Sequence, residues 1–258
     1  MSQIDKIISN VLSSKNQDLE QHFLGCFKEL YKIPKFKTGL DVILTKAEAG
    51  MMKFELYEPH ELAAIHGCSI TVGNISFSQK FKSFIRKQNH LIKIKTINVA
   101  VLAHEIAHVL EFESRLNIKQ GFKPAFQKDL LALENAPLMI KQAIKQIMFT
   151  ELQLYRKEQY DSEFLARYFE LLARSKEIGG YSDNFHFKFA EILKIFRHTN
   201  EWIQQVFNHS LLAQTRSHIR NMTEQIEYDQ NLQDHSRKAH NRKKTGENWR
   251  KTTGSIFN

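Results

Sequence analysis

Apolar positions recur three and four residues apart at the start of the chain: Ile4, Ile7, Ile8, Val11 and Leu12, then Leu19, Phe23, Leu24, Phe27 and Leu30. That spacing gathers them on one face of a helix, so residues 1–31 are expected to be helical. Pro34 and Gly39 break the pattern. From about Leu40 to Lys95 the texture changes to short β-branched and aromatic runs: Asp41–Thr45, Met52–Tyr57, Ser69–Val72, Ile75–Phe77 and Leu91–Lys95. Gly50, Gly67 and the pair Gly73–Asn74 separate them as turn formers, which predicts a small antiparallel or mixed sheet.

After Asn98 the helical period returns. Asn98 suits an N-cap, because its side-chain oxygen can accept an orphan amide hydrogen, and the helix behind it runs from Val99 to about Arg115. Asn135–Pro137 reads as another helix start, with the period continuing from Leu138 to about Ala173 before Gly179–Gly180 stops it. A further helical region covers Phe185 to about Met222. From Glu224 onward the chain is polar and poor in large apolar residues, so roughly its last 25 residues are expected to be mobile.

The predicted architecture is α+β, with a small sheet over about residues 40–95 packed on a helical core and a mainly helical C-terminal half. Its segments are an N-terminal helical stretch (1–35), a principal domain (36–178), a helical extension (179–225) and a basic tail (226–258).

Composition narrows the setting. With 258 residues, 42% of them hydrophobic, the chain can bury one substantial core. No apolar stretch approaches the roughly 18 residues of a membrane span. Asp5 and Lys6 stand where a secretory signal would carry a basic run and then an apolar one, so the expected compartment is the cytoplasm, with no membrane partner. Cys26 and Cys68 are then expected to be reduced thiols. The net charge of +9 is concentrated between Ser236 and Lys251, where seven Lys and Arg residues face the single acid Glu247.

The chemistry concentrates in His104-Glu105-Ile106-Ala107-His108. A helix advances about 100° per residue, so His104 and His108 stand about 40° apart and one turn along the axis, where two imidazoles can share one tetrahedral ion. Glu105 in this HExxH pattern takes a proton from water activated by zinc and later passes it to the leaving amine. His60 and His66 offer a contrast: six residues apart, they point to different sides of a helix.

A catalytic zinc usually takes a third protein ligand. The metzincin extension would need Gly at position 111 and His at 114, where this chain has Glu111 and Ser114. No histidine follows His108 before His186. An acid from a later helix is the remaining common solution, and Glu113, Glu134, Glu158, Asp161 and Glu163 are all open on the sequence.

Downstream of the HExxH helix stand Glu163, Ala166, Phe169, Leu171 and Leu172, a Glu-x-x-Ala-x-x-Phe pattern with Leu-Leu close behind. In this the chain resembles the ImmA/IrrE-type zincin-like metallopeptidases, over about residues 70–175. The resemblance implies a zincin core of gluzincin type, Zn2+ as cofactor, and Glu163 as the third ligand beside His104 and His108. Integral-membrane CAAX-processing endopeptidases share a similar helix, but their following Asp is replaced here by Arg167.

Tyr155, Tyr160, Tyr168 and His186 are candidate donors to a developing oxyanion. His198, His209 and His218 read as ordinary core or surface histidines. The expected activity is zinc-dependent hydrolysis of a peptide or protein substrate, which a sheet edge such as Leu91–Lys95 would bind as an added strand. The alternative is an inactive zincin-fold interaction protein whose basic tail, with Trp249, engages nucleic acid or an acidic partner.

Overall fold

The structure, a computed structural model, describes residues 3–58, 60–61, 66–78, 83–114, 121–149, 155–175 and 188–206, and their side chains except those of 72–78, 83–88, 158 and 189. All of these belong to one unit, Met1–Leu212. The basic tail, Gly179–Gly180, His186, His209 and His218 lie outside the described residues.

The chain opens with α1 (Gln3–Val11), a two-residue strand β1 (Leu12–Ser13), α2 (Gln17–Tyr31) and α3 (Pro34–Glu48). Asn16 caps α2, its Oδ1 accepting the Asp18 amide at 2.9 Å. Residues 3–31 are thus helical except at 12–16, where Leu12–Ser13 add a parallel strand to the sheet. Asp41–Thr45, expected as a strand, lies inside α3. Its β-branched residues mislead because the longer window carries a helical period: Phe36, Leu40, Ile43, Leu44 and Ala47 are all buried, behind Pro34 in the first helical turn. The sheet therefore begins after residue 48, apart from β1.

Gly50 turns the chain into the sheet. It sits at φ +66°, in the left-handed region that glycine adopts without steric cost. Its amide donates to Ala47 O, and the Met51 amide to Lys46 O, which together close the C-terminus of α3 in a Schellman motif.

Strands β2 (Met52–Leu56), β3 (Gly67–Ser78) and β4 (Ser83–Ile94) follow, and the sheet order is β1-β2-β4-β3. β2 pairs in parallel with β1 and β4, while β3 and β4 are antiparallel. Gly73 and Asn74, expected to form a turn, pair with Gln88 and Lys87 inside the continuous ladder. Of Leu91–Lys95, expected as a substrate-binding edge, all but Lys95 lie in β4, with neighbours on both sides. Among the described residues the outer strands of the sheet are β1 and β3, and β3 is the one that packs beside α4.

Alternation gives the sheet one covered face. Met52, Phe54, Leu56, His90, Ile92 and Ile94 are buried, whereas Lys53 and Ile70 are exposed. Phe54 packs against Phe23 and Phe27 of α2 at centroid distances of 5.0 and 6.4 Å. On the same covered side lies α4 (Val99–Ser114), where even the flanks of the HExxH pentad are buried. Asn98 caps it as expected, its Oδ1 accepting the Val101 amide at 2.7 Å.

Next come α5 (Phe122–Glu134) and α6 (Leu138–Phe149), a 3-10 turn (Lys157–Gln159), α7 (Tyr160–Ala173), α8 (Phe189–Ile195) and α9 (Arg197–Val206). The helical period expected from Leu138 to about Ala173 falls on two helices, α6 and α7; the polar run Arg156–Gln159 offers nothing to bury between them. α7 is buried at every position from Leu165 to Ala173 and packs along α4. Asp129 of α5 accepts the His198 and Thr199 amides at 3.1 and 2.7 Å, and so caps α9 from a neighbouring helix. The described chain is mostly helical with a four-stranded mixed sheet, an α+β architecture. Among the described residues no helix is long and apolar enough to cross a membrane.

Candidate metal centre

The site forms where α7 packs along α4. His104 and His108 lie one turn apart on α4, and Glu163 lies in the first turn of α7. One donor atom from each falls within 4.8 Å of the others, the only such group of three among the described residues. His104 Nε2 is 3.4 Å from Glu163 Oε2, and His108 Nε2 is 3.6 Å from Glu163 Oε1. Nitrogen and oxygen donors about 2.0–2.1 Å from one tetrahedral ion stand roughly 3.3 Å apart, so these separations suit donors that share a small cation.

The far nitrogens of both imidazoles are held. His104 Nδ1 meets Glu170 Oε2 at 3.3 Å, and His108 Nδ1 meets Ser162 Oγ at 3.1 Å. Ser162 Oγ donates its own proton to Glu111, so it accepts from His108. Glu170 is fixed in turn by Arg167 at 3.0 Å and by two bonds from Arg174 at 3.0 and 2.7 Å. With Nδ1 of each ring donating, both Nε2 lone pairs face Glu163, an arrangement that a cation between them would stabilise.

Burial sharpens that preference. His104, Glu105, Glu163 and Glu170 are all under 10% exposed. Glu105 Oε2 and Glu163 Oε2 are buried and make no hydrogen bond; the 3.4 Å contact to His104 does not satisfy the latter. Orphaned buried carboxylate oxygens cost several kcal/mol unless a charge compensates them. The donor set of two imidazoles and a carboxylate suits zinc and related transition ions better than magnesium or calcium.

Titration follows the same geometry. Burial works to lower the His104 pKa, but the carboxylates of Glu163 and Glu170 outweigh it and raise the value to about 9. Burial raises Glu105, against the opposing pull of His104 and His108. For Glu163 burial is outweighed by His104, His108 and Arg167, which hold the carboxyl below its ordinary range. Glu170 is carried down to about 2, burial being overcome by His104, Arg167 and Arg174. A proton on His104 and a cation at the Nε2 atoms are thus alternative ways to satisfy the same carboxylates.

Other expected candidates are engaged elsewhere. Glu113 binds His90 and Lys46, Glu134 binds Lys141 and Lys145 at the surface, and Asp161 faces Lys123; the side chain of Glu158 lies outside the described residues. Glu163, Arg167 and Glu170 are buried, where a solvated helix stripe would be exposed. Tyr168 belongs to the aromatic core, its ring 5.4 Å from that of Phe196. His66 meets Thr96 at 3.2 Å, and His198 meets Asp129 at 2.8 Å.

The supporting residues Glu170, Arg174, Ser162 and Glu111 are additions to the sequence reading. Glu170 had a legible signal, seven residues and about two helical turns beyond Glu163, hence on the same face.

No protein family, curated protein or solved structure matches the chain.

Proposed function

We propose that the protein is a zinc-dependent metallopeptidase of zincin type, with His104, His108 and Glu163 as ligands and Glu105 as general base. The observation that carries this reading is the convergence of two Nε2 atoms on the carboxylate of Glu163, beside the orphaned carboxylate oxygen of Glu105. A bound zinc ion would supply Lewis acidity, making water acidic near neutral pH and polarising a peptide carbonyl.

The chain's own residues do the rest. Glu170 and Ser162 keep both imidazoles in the tautomer that offers Nε2. Glu105, its pKa raised by burial, accepts the proton of the attacking water on its carboxylate, holds it, and delivers it to the departing amine. Exclusion of solvent by the apolar walls of α4 and α7 strengthens each of these interactions.

The substrate is read as an extended peptide added along the free edge of β3. A side chain at Gly67 would come within 3.1 Å of Glu105 Oε1, so β3 starts directly against the base, and its bareness there keeps the base in place. The test is hydrolysis of casein or a mixed peptide library by zinc-loaded protein, with Glu105→Gln as control. Turnover that Glu105→Gln abolishes while zinc is retained supports the reading. A zinc-loaded wild-type protein that cleaves nothing leaves a metal-binding scaffold.

A further inference from the structure

A second buried set of charged groups lies on α4, one helical stretch beyond the centre. Glu113 is 6% exposed and bonds His90 Nε2 of β4 at 2.7 Å and Lys46 Nζ of α3 at 2.9 Å. His90, whose side chain is fully buried, turns its other nitrogen to Thr71 Oγ1 of β3 at 2.9 Å. The chain Lys46–Glu113–His90–Thr71 therefore ties three elements to the edge strand beside the metal centre.

β3 comes close to α4 in two places: a Cβ at Gly67 would lie 3.1 Å from Glu105 Oε1, and Thr71 is joined to Glu113 through His90. Along the helix, eight residues from Glu105 to Glu113 span about 12 Å. Along the strand, four residues from Gly67 to Thr71 span about 13 Å and end on the same face. The two rises match, so the stretch from Glu105 to Glu113 lies beside the stretch from Gly67 to Thr71, close at one end and bonded at the other. The ladder to β4 sets the register of β3, and the Thr71–His90–Glu113 bonds add a fixed place for it against α4.

Burying such a network is a poor way to gain stability, since apolar residues of similar volume are often as good or better. Directional bonds do what apolar packing does not: they select one placement of the helix against the sheet. We propose that His90 is a positioning residue for the peptidase centre, holding the edge of β3 at the place where a bound peptide meets Glu105. The proposal rests on the metallopeptidase reading and on β3 as the substrate edge.

The test compares two zinc-directed probes on the zinc-loaded full chain: acetohydroxamate, which needs only the metal, and a tetrapeptide hydroxamate, which also needs the strand. The variants are the apolar triple His90→Leu, Glu113→Leu, Lys46→Met, and Thr71→Val, which removes one bond of the network at almost constant shape and keeps the test alive if the triple variant does not fold. The expected result is unchanged zinc content and acetohydroxamate affinity in both, with the gain from the peptide arm reduced about tenfold or more, as misplacement by a fraction of an ångström would cause. If the peptide gain survives in Thr71→Val and in a folded triple variant, or if both probes weaken equally, His90 is only structural and the proposal fails. A wild-type protein that binds acetohydroxamate but gains nothing from the peptide arm overturns the strand reading, and one that binds neither probe overturns the metal reading; in both cases the proposal falls with its premise.

Discussion

The helix α4 carries two buried histidine–carboxylate clusters that differ in one respect. Around Glu113 every principal donor has an acceptor: Lys46 and His90 each take one oxygen, and Thr71 takes the remaining imidazole nitrogen. Around Glu163 the outward nitrogens are matched by Glu170 and Ser162, but the inward atoms converge with carboxylate oxygens of Glu105 and Glu163 left unbonded. Residue types and burial are alike; completeness is not. The closed cluster joins elements to each other, and the open one could hold the proposed ion.

Breaking each cluster should therefore fail differently. The largest expected effect is on catalysis: Glu105→Gln should lower peptide turnover by about 10²–10⁴-fold, measured by single-substrate kinetics, with zinc stoichiometry unchanged. Next, Glu113→Ala strands Lys46 and His90 without their partner and should destabilise the fold by about 3–5 kcal/mol in urea titrations, again without loss of zinc. Glu170→Ala should do the reverse, weakening zinc about 10–100-fold in competition with a chromogenic chelator, because His104 loses the carboxylate that orients it.

The smallest effect concerns pH. His104 of the metal-free protein titrates at about 9, above its ordinary value near 6.5. A raised folded-state pKa contributes stability that is full below about 6.5 and is lost as pH rises through about 9. If zinc binds as proposed it displaces that proton, so between these limits zinc affinity should rise with pH by up to about tenfold per unit, with one proton released per zinc. Isothermal titration in buffers of different ionisation enthalpy reads the release directly; a pH-independent affinity would contradict the role of His104.

Parts of this contrast were legible in the chain. The pentad His104–His108 was, because both imidazoles sit on one helix and their spacing alone sets their geometry. Glu163 was reached through a resemblance, since nothing local distinguishes it from Asp161 or Glu113. The supports of the centre were harder to see, because Glu170 and Ser162 serve His104 and His108 across 66 and 54 residues of sequence and depend on how α4 and α7 pack. The strand reading of Asp41–Thr45 failed for a related reason: over five residues β-branching outweighed a helical period that only a longer window reveals. The N-terminal half of β4, Ser83–His90, was missed because Arg86, Lys87, Gln88 and Asn89 lack strand composition, and pairing with β3 supplies what propensity does not.

The most direct test of the central claim is the zinc content of purified protein, wild type beside His104→Ala, His108→Ala, Glu163→Ala and Glu113→Ala, by elemental analysis after gel filtration. The expected result is about one zinc per chain in the wild type and in folded Glu113→Ala, and loss of it in the other three. Retention of zinc in Glu163→Ala, or its loss in a folded Glu113→Ala variant, would contradict the division between an open and a closed cluster.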